Sequence, residues 1–231
     1  MKKIIISLKT KFNVATGKIF NVKKEIDIPY KWYGNEYGGF YVSDEKLNKD
    51  SVIYSFGIGE DISFDEALIN KFGCKVFGFD PTPKSIKWIR SRKNPVEFIF
   101  SPFGIDEKSG IVEFLLPKKD NYVSGSVINQ INVDEDKKIK VNMKCLSDIV
   151  KEMDHKYLDI LKIDIEGAEY KVLDSILSAP VEIHQILIEI HERFFPDGKE
   201  KTKALLDTLH KYGYKIFGVS KGMEELSFIK I

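Results

Sequence analysis

Short apolar runs closed by glycine, proline or aspartate alternate along this chain with stretches whose apolar residues recur at helical spacing. VIYSF (52–56) starts that alternation: its apolar, β-branched opening meets Gly57 at once, the mark of a buried strand entering a tight turn. Residues 62–72 follow, with Ile62, Ala67, Leu68, Ile69 and Phe72 available for the inner face of a helix. KVFGF (75–79) reads as a second strand ending at Asp80; Thr82 then suits an N-cap and Pro83 a first helical position, for a helix carrying Ile86, Trp88 and Ile89. VEFIF (96–100) and GIVEFLL (110–116) read as strands, the second after a DEKSG turn, and NYVSGSVI (121–128) as loop. KKIKVNMK (137–144) alternates like a strand, and CLSDIVKEM (145–153) has helical spacing. The regular pattern returns with LDILKI (158–163), a turn at DIEG, a helix over about 168–178 with Val172, Leu173, Ile176 and Leu177 inward, and the strand QILIEI (185–190). An amphipathic helix over 199–212 and two strands, YKIFGVS (214–220) and LSFIKI (226–231), close the chain, the pair forming an antiparallel hairpin around KGMEE. Buried strands alternating with helices predict an α/β fold, a doubly wound and mostly parallel sheet whose strand C-terminal ends share one ligand-binding edge.

Composition narrows the class without naming it. A chain of 231 residues, 43% hydrophobic and 31% charged, has enough material for a full core. No repeat or low-complexity linker divides it, so residues 51–231 are expected to form one domain and residues 1–50 a segment that packs on the site or covers it. Thirty-six cationic side chains against 35 acidic ones leave +1, which gives a nucleic-acid partner no support. Arg90, Arg92 and Arg193 are the whole arginine complement, so bidentate recognition of phosphate has few tools. Cys74 and Cys145 lack CxxC spacing, which argues against a disulfide scaffold or a thiolate metal site and for a cytoplasmic location. The apolar run in MKKIIISLKT is too short for a signal-peptide core and reads as a strand, and nothing approaches the roughly 18 apolar residues of a membrane span.

Candidate chemistry begins at the GxG turn of VIYSFGIGEDISF. Glycines at a strand-to-helix turn are a weak signal alone. Here, however, Gly57 and Gly59 are followed by Glu60 and Asp61, and Ile62 stands where a dinucleotide fingerprint has its third glycine. A pyrophosphate on this helix N-terminus would face two carboxylates. Either the acids only complement the helix dipole, or the turn holds a ligand with positive charge and no phosphate nearby. Asp80, 21 residues after Gly59, ends the second strand where an acid accepts hydrogen bonds from a ribose diol, although an Asp before Pro81 is also a common turn. A cofactor that joins a ribose diol to a cationic sulfonium and an amino-acid tail is S-adenosylmethionine.

Four strings, YSFGIGEDISFD, FGFDPTP, LDILKIDIEGAEYKVL and QILIEIH, together resemble the FkbM family of S-adenosylmethionine-dependent methyltransferases, including its branch that contains methyltransferase-like protein 24. KIDIEGAE is the most specific, and WYGNEYGGFYV (32–42) also resembles that branch. The likeness runs from about Tyr33 to Gly218, with residues 105–145 departing most. It implies a Rossmann-like class I methyltransferase fold and methyl transfer to an oxygen of a small molecule or glycan, a sugar or glycan precursor above all. It also implies that Gly57, Gly59, Glu60 and Asp61 hold the methionine part, that Asp80 holds the ribose with Phe79, Pro81 and Thr82 beside it, and that Pro102 to Gly104 lie near the adenine. Phe103 would stack there or else serve as an ordinary core aromatic.

The second constellation is LKIDIEGAEYKVL, with Asp164, Glu166 and Glu169 opening a helix. At least one acid is expected to cap it. At the ligand edge of such a fold, Asp164 is expected to face the methionine or the acceptor, Glu166 to line the pocket, and Gly167 to permit close approach. In QILIEIHERF, period two sets Glu189 and His191 on one side of the strand. They form either a buried His–Glu pair that orders the core, or a site in which His191 is the general base, with Asp164 its rival. A divalent metal on Asp164, Glu166 and His191 is a third arrangement, which spacing alone does not establish, and no metal is expected. Two readings compete with a methyltransferase: a nicotinamide-dependent oxidoreductase on a similar wound sheet, which this acidic turn resists, and a binding module that retains cofactor without catalysis.

The expected partners are therefore a small-molecule or glycan acceptor, without nucleic acid or a membrane span. The aromatic segment with Trp32, Tyr33, Tyr37 and Tyr41 either covers the bound molecules or packs on the sheet.

Overall fold

A computed structural model describes residues 10, 12–118 and 125–231. Its centre is a seven-stranded sheet built from β3 (Val52–Phe56), β4 (Lys75–Phe79), β5 (Phe98–Ser101), β9 (Tyr157–Ile163), β10 (Glu182–Glu189), β11 (Tyr214–Val219) and β12 (Glu225–Lys230). The spatial order is β11-β12-β10-β9-β3-β4-β5. All neighbours pair in parallel except β12, which runs antiparallel to both β10 and β11. This is the doubly wound, mostly parallel α/β arrangement the alternation predicts, C-terminal hairpin included. The winding helices are α1 (Ser63–Phe72), α2 (Pro83–Arg90), α3 (Leu146–Glu152), α4 (Glu169–Leu177) and α5 (Gly198–Lys211). Two apolar clusters sandwich the sheet, because its strands are buried on both faces: one gathers Phe56, Leu161, Val172, Ile186 and Leu209, the other Ile53, Phe64, Leu68, Ile160 and Phe217.

The sheet winds outward in opposite directions from the β3–β9 pair, so the crevice of such a fold opens beyond the C-terminal ends of these two strands. Backbone contact there is unusually close. Asp164 N–H donates to the Phe56 carbonyl at 3.1 Å, and Gly57 N–H donates to the Phe79 carbonyl at 3.0 Å. Gly57 has φ +76°, and a Cβ on it would lie 1.6 Å from the Asp164 carbonyl oxygen. Only glycine satisfies both conditions.

The segment that resembles the family least forms a sheet of its own. β6 (Gly104–Ile105), β7 (Gly110–Pro117) and β8 (Val133–Lys144) pair in the order β6-β8-β7, with a small core of Phe114, Val141 and Met143. From Ile139 to Met143, β8 alternates inward and outward positions, which suits a sheet covered on one face, not a central strand. β1 (Lys31–Tyr33) and β2 (Phe40–Val42) form a hairpin whose Phe40 and Val42 are fully buried. The strand expected in residues 1–9 and residues 121–124 of the expected loop lie outside the described residues. Thr82 occupies the N-cap position of α2 without a capping hydrogen bond, and its hydroxyl donates to Asp80. Among the described residues, no helix is long and apolar enough to cross a membrane.

Gly57→Ala is expected to lower the unfolding free energy by roughly 3 kcal/mol or more, from the clash added to the left-handed backbone. Gly73→Ala has φ +68° but its nearest neighbour at 4.0 Å, so it should cost only about 1–2 kcal/mol. Urea denaturation of both variants checks the difference; equal losses would show that the contact with Asp164 is not tight.

Candidate functional site

A groove opens at this crevice, lined by Gly57, Gly59, Glu60, Asp61, Asp80, Pro81 and Thr82 on one side and by Asp164 and Glu166 on the other. Asp80 organises the first side. Its Oδ2 accepts from Gly59 N–H at 2.9 Å, while Oδ1 accepts from Thr82 N–H at 2.9 Å and from the Thr82 hydroxyl at 2.6 Å. The Ser85 hydroxyl donates to the Gly59 carbonyl, so the turn is tied to α2 as well. Burial pushes the Asp80 carboxyl up, and the hydrogen bonds from Thr82 and Gly59 oppose that. Thr82 thus engages both lone pairs of Oδ1, while Oδ2 retains acceptor capacity for a ligand hydroxyl.

The two acids of the turn have protein partners. Glu60 forms an ion pair with Lys84 at 3.5 Å. Asp61 accepts from Ser63 N–H at 2.7 Å, which supplies the first turn of α1 with an acceptor, and from the Asn35 side-chain amide. Asn35 Oδ1 in turn accepts from Tyr37 and Gly38 N–H at 2.7 and 2.9 Å. Residues 34–38 are thereby pinned over the GxG turn. Of the aromatic residues in that segment, Tyr37 lines the groove and is 79% exposed at its rim. Trp32 donates to the Asn35 carbonyl, Tyr33 to Asp44, and Tyr41 packs edge-on against Trp32 and Tyr30. Asn35 escaped the sequence reading because its role rests on a contact 26 residues away.

An apolar slot continues the groove, walled by Pro81, Gly104, Ile105, Phe114, Val127 and Met143. Phe114 lies in β7, Val127 in the connection to β8 and Met143 in β8; of the three, only Met143 falls in a stretch that reads as alternating. Phe103 is not among the lining residues. Its ring packs on Phe79 in the core, 5.2 Å between centroids, with the Lys144 ammonium 4.8 Å from its own centroid. Cys74 is buried, its thiol pushed up to about 11 by burial, and neither cysteine reaches the groove.

The opposite side gathers charge. Asp164 follows β9, Glu166 sits in the next turn with φ +54°, and His191 follows β10. His191 is 1% exposed and absent from the groove wall. Its Nδ1 lies 3.1 Å from Oε1 of Glu169, which also accepts the His191 backbone N–H at 2.9 Å, while Glu169 Oε2 accepts Gly167 N–H at 2.9 Å. The buried His–Glu pair therefore exists, but its carboxylate is Glu169 of α4, not Glu189. Nε2 faces Glu166 and Glu189 at 3.5 Å and Asp164 at 3.8 Å. Burial alone would lower the imidazole's pKa, but Glu169, Glu189 and Asp164 outweigh it and push it up; burial and then Asp164 push Glu189 far above the usual carboxylate range. On the far side, the buried Lys162 ammonium stands 3.9 Å from Asp164 and 3.4 Å from the Gly57 carbonyl. The site thus combines an acid-rimmed turn, an apolar slot and two groove-lining carboxylates backed by an imidazole, suited to a part-apolar ligand with a cationic centre.

Comparison with known proteins gives this geometry a context. Residues 51–216 match the family model described as Methyltransferase FkbM domain. The human protein named Probable methyltransferase-like protein 24 is 27% identical over 154 residues, covering 66% of this chain and 36% of its own length. Hexuronic acid methyltransferase AglP of Haloferax volcanii is 23% identical over 163 residues, covering 70% of this chain and 64% of its own. The chain thus spans less than half the length of that human relative. Among solved structures, the fibrillarin pre-rRNA processing protein of Methanococcus jannaschii superposes with a TM-score of 0.46 at 14% identity, over 91% of this chain and 86% of that one.

Glu169→Ala would strip acceptors from two buried N–H groups and leave His191 without its partner. It is expected to cost about 3–5 kcal/mol of stability, whereas Glu169→Gln, which keeps an acceptor, should cost markedly less. Denaturant titration of both checks this; an alanine variant within about 1 kcal/mol of wild type would remove Glu169 from its supporting role.

Proposed function

Because this chain belongs to the FkbM family of methyltransferases, whose methyl donor is S-adenosylmethionine, we propose that it transfers a methyl group from that donor to a hydroxyl oxygen of a sugar or glycan precursor. The observation that carries the reading is one groove in which the GxG turn and Asp80 face Asp164 and Glu166 across the switch point of the sheet. In this reading the remaining acceptor capacity of Asp80, on Oδ2, takes a ribose hydroxyl. The adenine enters the apolar slot between Pro81, Ile105 and Met143, and the methionine end lies along Gly57 to Asp61. The segment before residue 51 closes the cofactor end through Asn35 and Tyr37.

Methyl transfer is an in-line displacement at carbon. A lone pair of the acceptor oxygen forms the new O–C bond while the C–S bond breaks and its electron pair returns to sulfur, discharging the sulfonium. Alignment of the three atoms supplies several kcal/mol of the barrier reduction, and removal of the hydroxyl proton a further 10²–10⁴-fold or so. We assign that proton to Asp164. Its place on the groove wall, against the burial of His191 behind it and the engagement of Nδ1 with Glu169, supports Asp164 over His191 as the acceptor of the proton. His191 then acts as a positioning residue. The sugar class of the acceptor draws on the printed name of the Haloferax relative. Two free cysteines fit a reducing, cytoplasmic setting.

Calorimetry with S-adenosylhomocysteine tests the cofactor assignment. Wild type should bind, and Asp80→Ala should weaken binding about tenfold or more, roughly 1.4 kcal/mol; no binding by wild type, or equal affinity in the variant, sinks it. With radiolabelled donor and a panel of sugars and uronic acids, Asp164→Asn should lower turnover about 10²-fold or more.

A further inference from the structure

We propose that Asp164, Glu166 and Nε2 of His191 form a binding site for one divalent cation at the floor of the groove, and that the donor set suits Mn²⁺. The inference rests on the methyltransferase reading for what the ion would do, but on the side chains alone for where it would bind. One donor atom from each of the three residues lies within 4.8 Å of the others. Nε2 stands 3.5 Å from Glu166 Oε2 and 3.8 Å from Asp164 Oδ1. Two donors about 2.1 Å from a common ion lie about 3.0–3.4 Å apart at octahedral to tetrahedral angles, so small side-chain movements complete the shell.

The imidazole distinguishes this cluster from a patch of surface acids. His191 is 1% exposed, and its Nδ1 is held at 3.1 Å by the fully buried Glu169, which fixes the plane of the ring. A carboxylate on the far nitrogen of a histidine is the usual second partner of a metal-ligating imidazole. Nε2 is aimed at the carboxylates, with oxygens of Glu166 and Glu189 at 3.5 Å and of Asp164 at 3.8 Å, a fan of oxygens around one buried nitrogen. A core-ordering His–Glu pair accounts for Nδ1 and Glu169. It does not account for a second, buried nitrogen directed at Asp164, Glu166 and Glu189. Carboxylates with a single imidazole form a mixed oxygen–nitrogen set suited to Mn²⁺, whereas thiolate-preferring ions lack a ligand here.

Asp164 and Glu166 also line the groove, so an ion on them would have open positions toward the acceptor. An acceptor hydroxyl taken as a further ligand would have its pKa lowered, which eases the proton loss the proposed reaction requires. A hydroxyl with a second oxygen beside it, as in a sugar diol or uronic acid, could chelate.

The test uses the full chain freed of metal with EDTA. Mn²⁺ titration followed by the six-line resonance of the free ion should show one site per chain, weakened about tenfold or more in both Glu166→Gln and His191→Gln. S-adenosylhomocysteine binding by the metal-free wild type, measured separately by calorimetry, reports on the methyltransferase reading without involving the ion. Absence of a Mn²⁺ site in wild type, or equal Mn²⁺ affinity in Glu166→Gln, overturns the proposal even if His191→Gln fails to fold. Cofactor-product binding without Mn²⁺ binding removes the cation site and leaves the methyltransferase reading standing; loss of cofactor-product binding in wild type removes that reading instead.

Discussion

The site depends on the contact between the first residues after β3 and after β9. Where Gly57 passes the Asp164 carbonyl, the two chains are too close for any side chain at position 57. That approach lets Asp164 N–H reach the Phe56 carbonyl and extends the strand pairing one residue beyond the sheet. One consequence is geometric: the turn that carries Gly59, Glu60 and Asp61 and the turn that carries Asp164 and Glu166 become opposite walls of one groove. A bulkier junction would splay the strands and separate the two sets of acids.

Around that junction, the buried charges are arranged in layers. Lys162, on β9 beneath the junction, is 4% exposed and directs its ammonium toward the Gly57 carbonyl and Asp164. It also lies within electrostatic reach of Asp65 of α1, whose carboxyl burial pushes up to about 6 against the pull of that lysine. On the opposite side of Asp164, His191 and Glu169 form the buried support. Asp164 thus stands between an ammonium and an imidazole, a setting that fixes its orientation while its carboxylate still meets the groove. The cost of burying these groups is offset only because each has a counter-charge or a backbone donor. That explains why Glu169, in the first turn of α4, is fully buried and serves three hydrogen bonds.

Two segments that lie outside the wound core complete the walls of the groove. The hairpin of β1 and β2 brings Asn35 and Tyr37 to the acidic turn, and the sheet of β6, β7 and β8 brings Phe114 and Met143 to the slot beside Pro81. Both walls are made by strands outside the central sheet, which tolerate changes of side chain more readily than central strands buried on two faces.

Local pattern was enough to determine the wound sheet, its C-terminal hairpin, the GxG turn and the acids at Asp80, Asp164 and Glu166. Periodicity reports which face of its own element a residue occupies, and turn residues report where elements end. Neither reports which distant residue completes a hydrogen bond. The partner of His191 turned out to be Glu169, 22 residues upstream, because α4 packs beside the end of β10; Glu189, two residues away, shares the strand face but not the bond to Nδ1. Asn35 reached Asp61, and Phe103 turned into the core, for the same reason. Those choices belong to the tertiary structure, since they depend on how close two helices or strands come once apolar faces have been buried, a quantity no single stretch of sequence contains.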